Sequence, residues 1–401
     1  MTKGMASRQA NQSKTAMAAT LPCEVMEEIL SRLPVKSLCR LRCVSKLWRF
    51  LISDPHFIKM HLKRSSMHKV FMSFICRLKI LFFDYEALFN GDRDQNSAVM
   101  NLQLPVETGS IRSAKLLGSC NGLLCLGLGE RNVIVWNPCT REYKKLQEPQ
   151  GEGDGSYGFG YDSCNDDYKL VRIIRGNGSK KMINVDVFSL KTSSWRRICY
   201  GGCKFDLLDP MGTFFNGSVY WQAKRGGDTD RMTLIVSFDL VKEKFRELPK
   251  PDGSFAAGPM LGVLGECLCA CRSEFGKDVE LWAMKEEGAE VSWIKLANVS
   301  RRTEPEYIRD FSIPLCFAKN GEALILQGGL KVETYNLQEN RCRRIFISPY
   351  EISEFDGVLY LESLVSPNAY DGSHGSIPRT GGHSQEKVGE VEDRLERFDL
   401  D

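Results

Sequence analysis

Residues 133–146 read VIVWNPCTREYKKL: an apolar run ending in Trp136, a turn starter at Asn137, a short polar turn, a second aromatic at Tyr143 and an aliphatic at Leu146. Two β-prone runs around a turn residue that bonds its own backbone spell a strand–turn–strand hairpin. The same grammar returns in VDVFSLKTSSWRRI (185–198), VSFDLVKEKFREL (236–248), VELWAMKEEGAEVSWIKL (279–296) and VETYNLQENRCRRI (332–345). The apolar anchors Trp136, Phe188, Phe238, Trp282 and Tyr335 lie 52, 50, 44 and 53 residues apart.

A period near fifty residues is that of kelch-type blades. Three copies carry an upstream Asn-Gly before a hydrophobic strand, at Asn121-Gly122, Asn216-Gly217 and Asn320-Gly321. Asn-Gly is the strongest short hairpin signal because both residues tolerate positive φ. Each unit is therefore read as two hairpins making one blade, and stacked blades around an axis leave only short edges exposed. Residues 70–104 add VFMSFI, KILFFDY and VMNLQL, and an apolar strand at 357–365 is left over. Joining the two makes a further, split blade, for an expected total of six, with five and seven as alternatives.

The motifs LLGSCNGLLCL, VWNPCTREYKKL, YGFGYDSCNDDYKLVRI, FNGSVYW and VSFDLVKEKFREL resemble the F-box-associated, kelch-like region of a large plant F-box family. The chain departs from strict kelch repeats: Gly201-Gly202, Gly226-Gly227 and Gly328-Gly329 occupy no fixed blade position. For a bound target the sequence offers only a face, with the longer loops at 147–160, 201–212 and 223–232 as candidates and no individual substrate-binding residue.

Upstream, Leu21 to Arg64 is helical. Pro22 and Glu24 stand in a first turn, and Val25, Met26, Ile29, Leu30 and Leu33 recur at three- and four-residue spacing. Pro34 breaks the chain; Lys36 to Cys43 is a second helix, Ser45 caps a third over Lys46 to Ile52, and Asp54-Pro55 starts a fourth. A domain of about 40 residues needs metal, disulfides or a partner for stability. No metal-ligand spacing occurs here, so a partner is expected.

The run LPCEVMEEILSRLPVKSLCRLRCVSKLWRFLISDPHFIKMHL resembles an F-box throughout, through Leu21-Pro22, Leu33-Pro34, the following Val-Lys-Ser-Leu and Cys-Val-Ser-Lys-Leu-Trp at 43–48. The resemblance implies docking on the Skp adaptor of an SCF-type cullin-RING ubiquitin ligase. It implies adaptor contacts by Leu21, Pro22, Ile29, Leu30, Leu33, Pro34, Val35, Leu38, Val44 and Trp48; the alternative for such apolar residues, packing of the F-box on its own propeller, is assigned to Leu41 and Phe57. The implied role is a substrate receptor without bond chemistry. The competing class is a propeller scaffold or regulator whose helices bind something other than a ligase.

Other readings are weaker. The segment has nine Lys/Arg against four acids, which suits DNA, but its third helix offers Leu47, Trp48, Phe50, Leu51 and Ile52 instead of base-reading polar groups. A basic module also steers an acidic protein partner. All five histidines, at 56, 61, 68, 374 and 383, fall outside the blades, so no Ser-His-Asp triad or histidine-ligated metal can be built there. Acid pairs among Asp162, Asp166, Asp167, Asp206, Asp209, Asp228 and Asp230 read as turn residues. Cys267, Cys269 and Cys271 read as a buried strand, and GEGDGSYGFG (151–160) as an inter-blade loop, not a phosphate loop.

The whole reads as a mainly β protein with a small all-α N-terminal domain. The expected parts are a disordered extension (1–19, with Met17 as an alternative start), an F-box (20–64), a kelch-like propeller (67–365) and a disordered charged tail (366–401). With 401 residues, 26% charged, no run of some 18 apolar residues and 15 scattered cysteines, a reduced cytoplasmic or nuclear setting is expected, without cofactor, metal or nucleic acid.

Overall fold

The computed structural model describes residues 22–65, 71–76, 79–84, 99–106, 114–129, 132–147, 155–175, 182–201, 205–225, 232–251, 259–272, 279–288, 290–299, 312–317, 321–327, 331–337, 339, 341–345 and 357–371. The expected N-terminal extension, the expected tail from residue 372 onward, Leu21 and Asn320 lie outside them.

Four helices come first: α1 (Cys23–Leu30), α2 (Val35–Leu41), α3 (Lys46–Ser53) and α4 (Pro55–Ser65). Prolines set the first two starts, since Pro22 and Pro34 are extended N-caps that no helix can run through. Ser45 Oγ accepts from the Trp48 amide at 3.1 Å, and Asp54 Oδ1 accepts from the His56 and Phe57 amides at 2.8 and 3.2 Å. Both expected caps are therefore made.

Among the described residues the strands form six antiparallel sheets: blade 1 (114–145), blade 2 (156–201), blade 3 (205–248), blade 4 (260–299), blade 5 (312–345) and the split blade 6. In blade 6 the order is Gly357–Tyr360, Phe71–Cys76, Lys79–Asp84, Val99–Leu102, so the last strand of the chain pairs with the first. Innermost strands touch from blade to blade and return to their start, which closes the ring at six. The split blade lies where the leftover strand predicted it.

The second hairpin of each blade shows what the repeat encodes. Trp136 faces Tyr143, Phe188 faces Trp195 and Phe238 faces Phe245, each pair seven residues apart. The turn starter folds back on its own turn: Asn137 Oδ1 accepts from the Cys139 amide at 2.9 Å, and Asp239 Oδ1 from the Val241 and Lys242 amides at 2.9 and 2.8 Å. Blade 4 corrects the sequence reading. Trp282 pairs with Lys295, and Met284, not Trp282, faces Trp293. The strands of this hairpin run on to pair Glu287 with Glu290 across a shorter turn than in blades 2 and 3, where Ser189 pairs with Ser194 and Asp239 with Lys244, and this moves the anchor by two residues.

Two expected loops are also corrected. Ser156–Asp162 is the innermost strand of blade 2, not loop, and its glycines mark close approach: a Cβ at Gly158 would lie 2.5 Å from Val219 Cγ1, and one at Gly160 would strike the Phe214 ring. The innermost strand of blade 3 is broken into Phe205–Leu207 and Thr213–Phe215. Between them residues 208–212 lean onto blade 2, where the Tyr157 amide donates to the Pro210 carbonyl at 2.8 Å and the Gly212 amide to the Tyr157 carbonyl at 2.7 Å.

Neighbouring blades are stitched at the rim. Arg196 of blade 2 meets Glu243 of blade 3 at 2.5 Å, and Arg246 of blade 3 meets Glu286 of blade 4 at 3.2 Å. The Trp195 and Trp293 indoles donate to the Gln147 and Pro249 carbonyls of the preceding blades, both at 2.8 Å.

After Tyr360 the chain runs on as a strap, residues 361–366, across the two turns of blade 1. The carboxamide of Asn137, fully buried, donates to the Ser363 and Val365 carbonyls at 3.0 and 2.7 Å. Gly122, at φ +79°, lets the strap pass, because a Cβ there would strike the Ser363 hydroxyl and lie 2.5 Å from the Leu361 carbonyl oxygen. Order continues past the expected start of the tail: Ser366 bonds Glu142, and Asn368 Nδ2 donates to the Tyr143 carbonyl at 3.4 Å. The compact unit ends at Asn368.

Candidate functional site

The four helices have two kinds of apolar residue. Leu30, Val35, Leu38, Ile52 and Phe57 are buried in one cluster, with Leu33, Leu41 and Trp48 packed partly against it. Of the ten residues singled out from sequence, Leu30, Val35 and Leu38 are thus committed to the core of the helical domain. Leu33 and Trp48 are half-buried at its margin, and Leu21 lies outside the described residues. Pro22, Ile29, Pro34 and Val44 are exposed, Ile29 at 50% and Val44 at 66%.

Sequence reasoning missed two further exposed apolar side chains, Val25 at 42% and Phe50 at 48%. Val25 had a signal: it stands four residues before Ile29, so both lie on one face of α1, while Leu30 faces inward. Phe50 had none, because it sits inside the continuous apolar run Phe50-Leu51-Ile52, of which only Leu51 and Ile52 are buried.

The loop that presents Pro34 is held from below. His61, almost fully buried, places Nε2 2.9 Å from the Leu33 carbonyl oxygen, and burial lowers its pKa. Glu28 gathers Arg32 at 2.7 Å and Arg64 at 2.8 Å, and hydrogen bonds from Arg64 and then Arg32 hold its carboxyl below the usual range.

The same helices meet the propeller along one seam. Leu364 of the strap belongs to their apolar cluster, and Cys139 of the blade 1 turn packs against it. Cys39 Sγ lies 3.9 Å from the Cys139 carbonyl oxygen, Lys36 3.9 Å from Glu362, Arg42 4.0 Å from Glu142, and Lys59 2.7 Å from Asp166 of blade 2. Each of these propeller residues lies in the strap or in a turn joining strands one and two, or three and four, of a blade. Antiparallel order puts those turns at one end of the ring, and the connections between strands two and three and between blades at the other. Of the candidate target loops, residues 148–154 and 226–231 lie outside the described residues. Residues 208–212 of the third are tied to Tyr157 of blade 2, with Leu208 and Pro210 exposed.

Three of the acids weighed as catalytic pairs, Asp162, Asp167 and Asp209, have structural work. Asp162 accepts from the Cys164 and Asn165 amides at 3.0 and 3.1 Å and pairs with Lys169 at 2.8 Å. Asp167 takes the Ser189 hydroxyl at 2.5 Å and the Lys191 amide at 2.9 Å. Asp209 accepts from the Gln222 amide at 3.0 Å, and burial pushes its carboxyl up to about 6. Cys269 and Cys271 are buried, and burial raises both thiols, while Cys267 is exposed. Among the described residues no group of His, Cys, Asp and Glu stands ready to hold a metal, and no helix is long and apolar enough to cross a membrane.

Comparison with known proteins matches residues 19–60 to the F-box domain and residues 71–366 to the F-box associated beta propeller domain. The F-box protein CPR1 of Arabidopsis thaliana is 31% identical over 379 residues, covering 86% of this chain and 89% of that protein. An F-box/kelch-repeat protein of the same plant is 30% identical over 376 residues, covering 87% and 96%. A solved oligogalacturonate lyase in complex with manganese overlays with a TM-score of 0.42 at 14% identity, across 70% of this chain and 80% of that one, a likeness too slight to bear on function.

Proposed function

Because the chain belongs to the F-box proteins that carry an F-box-associated β-propeller, we propose that it is the substrate-receptor subunit of a Skp-cullin-F-box ubiquitin ligase. The F-box takes the Skp adaptor, and through it the cullin-RING core. The propeller holds a target protein while a ubiquitin-conjugating enzyme elsewhere in the assembly reaches the target's lysines. The chain supplies proximity, which turns a bimolecular encounter into an effectively unimolecular one, and no bond chemistry. It works in the cytoplasm, the nucleus or both.

The observation that carries this reading is the division of labour within the helices. Their inner face is spent on their own core and on the propeller, while Pro22, Val25, Ile29, Pro34, Val44 and Phe50 remain exposed on a domain too small to afford idle apolar surface. With the F-box on one end of the ring, the target is assigned to the opposite end.

The test is capture of the Skp adaptor and cullin by the full chain and by the full chain carrying Ile29→Asp and Val44→Asp. Capture of both proteins by the wild type and of neither by the variant supports the assignment. A wild type that captures neither, while folded, overturns it and leaves a propeller scaffold that binds other partners.

A further inference from the structure

We infer that the F-box and the closure of the propeller ring form one cooperative unit: the C-terminal strap completes the apolar core of the N-terminal helices, so those helices keep their shape only while the ring is shut. The inference concerns the coupling of two parts of the fold, and it stands whether or not the F-box carries an adaptor.

The first support is Leu364. It is 1% exposed and lies in the same cluster as Leu30, Val35, Leu38, Ile52 and Phe57. Four short helices bury little of their own surface, so one side chain from outside is a large share of that core. Taking it away opens a gap lined by the residues that orient α2.

The second support is how Leu364 is held. No regular strand pairing fixes the strap. Its position depends on Asn137, whose carboxamide donates to the carbonyls on either side of Leu364, at Ser363 and Val365. Tyr360 donates its hydroxyl to Asn137 Oδ1 at 3.2 Å, so the same residue also ties down the end of the closing strand. Gly122 provides the passage under which Leu361 and Ser363 lie. All of these groups are in place only when strand 357–360 occupies the innermost position of blade 6.

The third support is the polar seam around that apolar contact. Lys36 faces Glu362, Cys39 faces the Cys139 carbonyl and Arg42 faces Glu142, so α2 and the residue following it touch both the strap and the turn that Asn137 organises. These pairs are long or partly exposed and give register more than energy. The exposed Lys59–Asp166 pair adds a second point of attachment on blade 2. Opening of either partner therefore exposes apolar surface on the other, and coupling of this kind is reciprocal.

Native-state hydrogen exchange of the wild-type full chain in low urea is the deciding experiment. Amides of α2 and α4 and those of Gly357 to Val365 are expected to share one opening free energy and one urea dependence. With Leu364→Ala, exchange in α2 and α3 rises at least tenfold while strands 232–239 and 279–287 keep wild-type protection. With Leu38→Ala, the amides of residues 357–365 accelerate by a similar factor. Helices that open in the wild type at lower free energy than the strap, with the smaller urea dependence of a separate domain, would overturn the inference. So would unchanged helix protection in Leu364→Ala. Should that variant fail to fold, the wild-type measurement decides by itself.

Discussion

The side-chain amide of Asn137 donates to the main-chain carbonyl of Val365 at 2.7 Å, joining two residues 228 positions apart at a fully buried site. Asn137 also starts its own turn and accepts from Tyr360, so every polar atom of its side chain is engaged. Asn137→Ala leaves the Ser363 and Val365 carbonyls buried and unpaired and is expected to cost about 3 kcal/mol of stability, read by urea unfolding. Ser189 starts the matching turn of blade 2, where its hydroxyl accepts from the Thr192 amide. Ser189→Ala is expected to cost about 1 kcal/mol; equal losses in the two variants would remove the special role given to Asn137.

Two glycines with similar backbone angles separate steric from conformational demand. Gly122 and Gly217 have φ of +79° and +77°, but a Cβ strikes the strap at Gly122 and meets nothing within 4 Å at Gly217. Gly217→Ala should cost about 1 kcal/mol from left-handed strain alone, and Gly122→Ala about 3 kcal/mol or more. Thermal unfolding of both variants at one pH makes the comparison.

On the helices, exposure separates binding from stability. Ile29→Asp and Val44→Asp should each weaken adaptor binding by about 2 kcal/mol or more while the unfolding midpoint barely moves, as charges placed on exposed hot-spot positions do. Leu38→Ala, fully buried, should instead lose about 2–5 kcal/mol of stability. The double variant Leu33→Ala, Pro34→Ala should lower adaptor affinity by about 2–4 kcal/mol. Calorimetric titration with purified adaptor, paired with thermal unfolding, reads both quantities; an affinity unchanged in Val44→Asp would remove that residue from the interface.

Asp209 gives a pH signature. Its carboxyl is raised to about 6 by burial, so the folded state holds this proton more tightly than the unfolded chain. The favourable contribution is complete below the unfolded value near 4 and is lost as pH rises through about 6, a difference of about 2–3 kcal/mol. Asp209→Asn, which cannot ionise, should be more stable than the wild type at pH 7.5 and match it near pH 4. A destabilised variant at pH 7.5 would mean that the ionised carboxylate is satisfied by Gln222.

The sequence was legible wherever one residue type had one mechanical job. Phe188 and Trp195, or Phe238 and Phe245, could be paired because two aromatics seven residues apart around a turn starter admit a single hairpin register. The split blade was legible because three strands at the start and one at the end were left without partners. Met284 was not legible as an anchor, since a tryptophan two residues earlier carries the stronger aromatic signal and the charged run Lys285-Glu286-Glu287 reads as turn although it continues the strand to the Glu287–Glu290 pair. Gly158 and Gly160 read as loop because glycine is ambiguous between a turn and a close approach, and only Trp221, Val219 and Phe214 packed over them decide. On the helices, periodicity identified which residues are apolar. It could not assign Leu38 to a core shared with Leu364, because that core is built from both ends of the chain.

The innermost strand of blade 6 is also the last to be made. During translation, residues 71–76 wait for a partner whose first residue, Gly357, lies 283 positions downstream of its mate Phe74, and five blades are able to pair before the axis of the sixth exists. A ribosome that stops early, or a protease that trims the chain before residue 357, leaves an open arc with free strand edges in place of a ring. Such an arc exposes unpaired strand edges that template pairing with other chains, so closure of the ring by the last strand also removes an aggregation hazard.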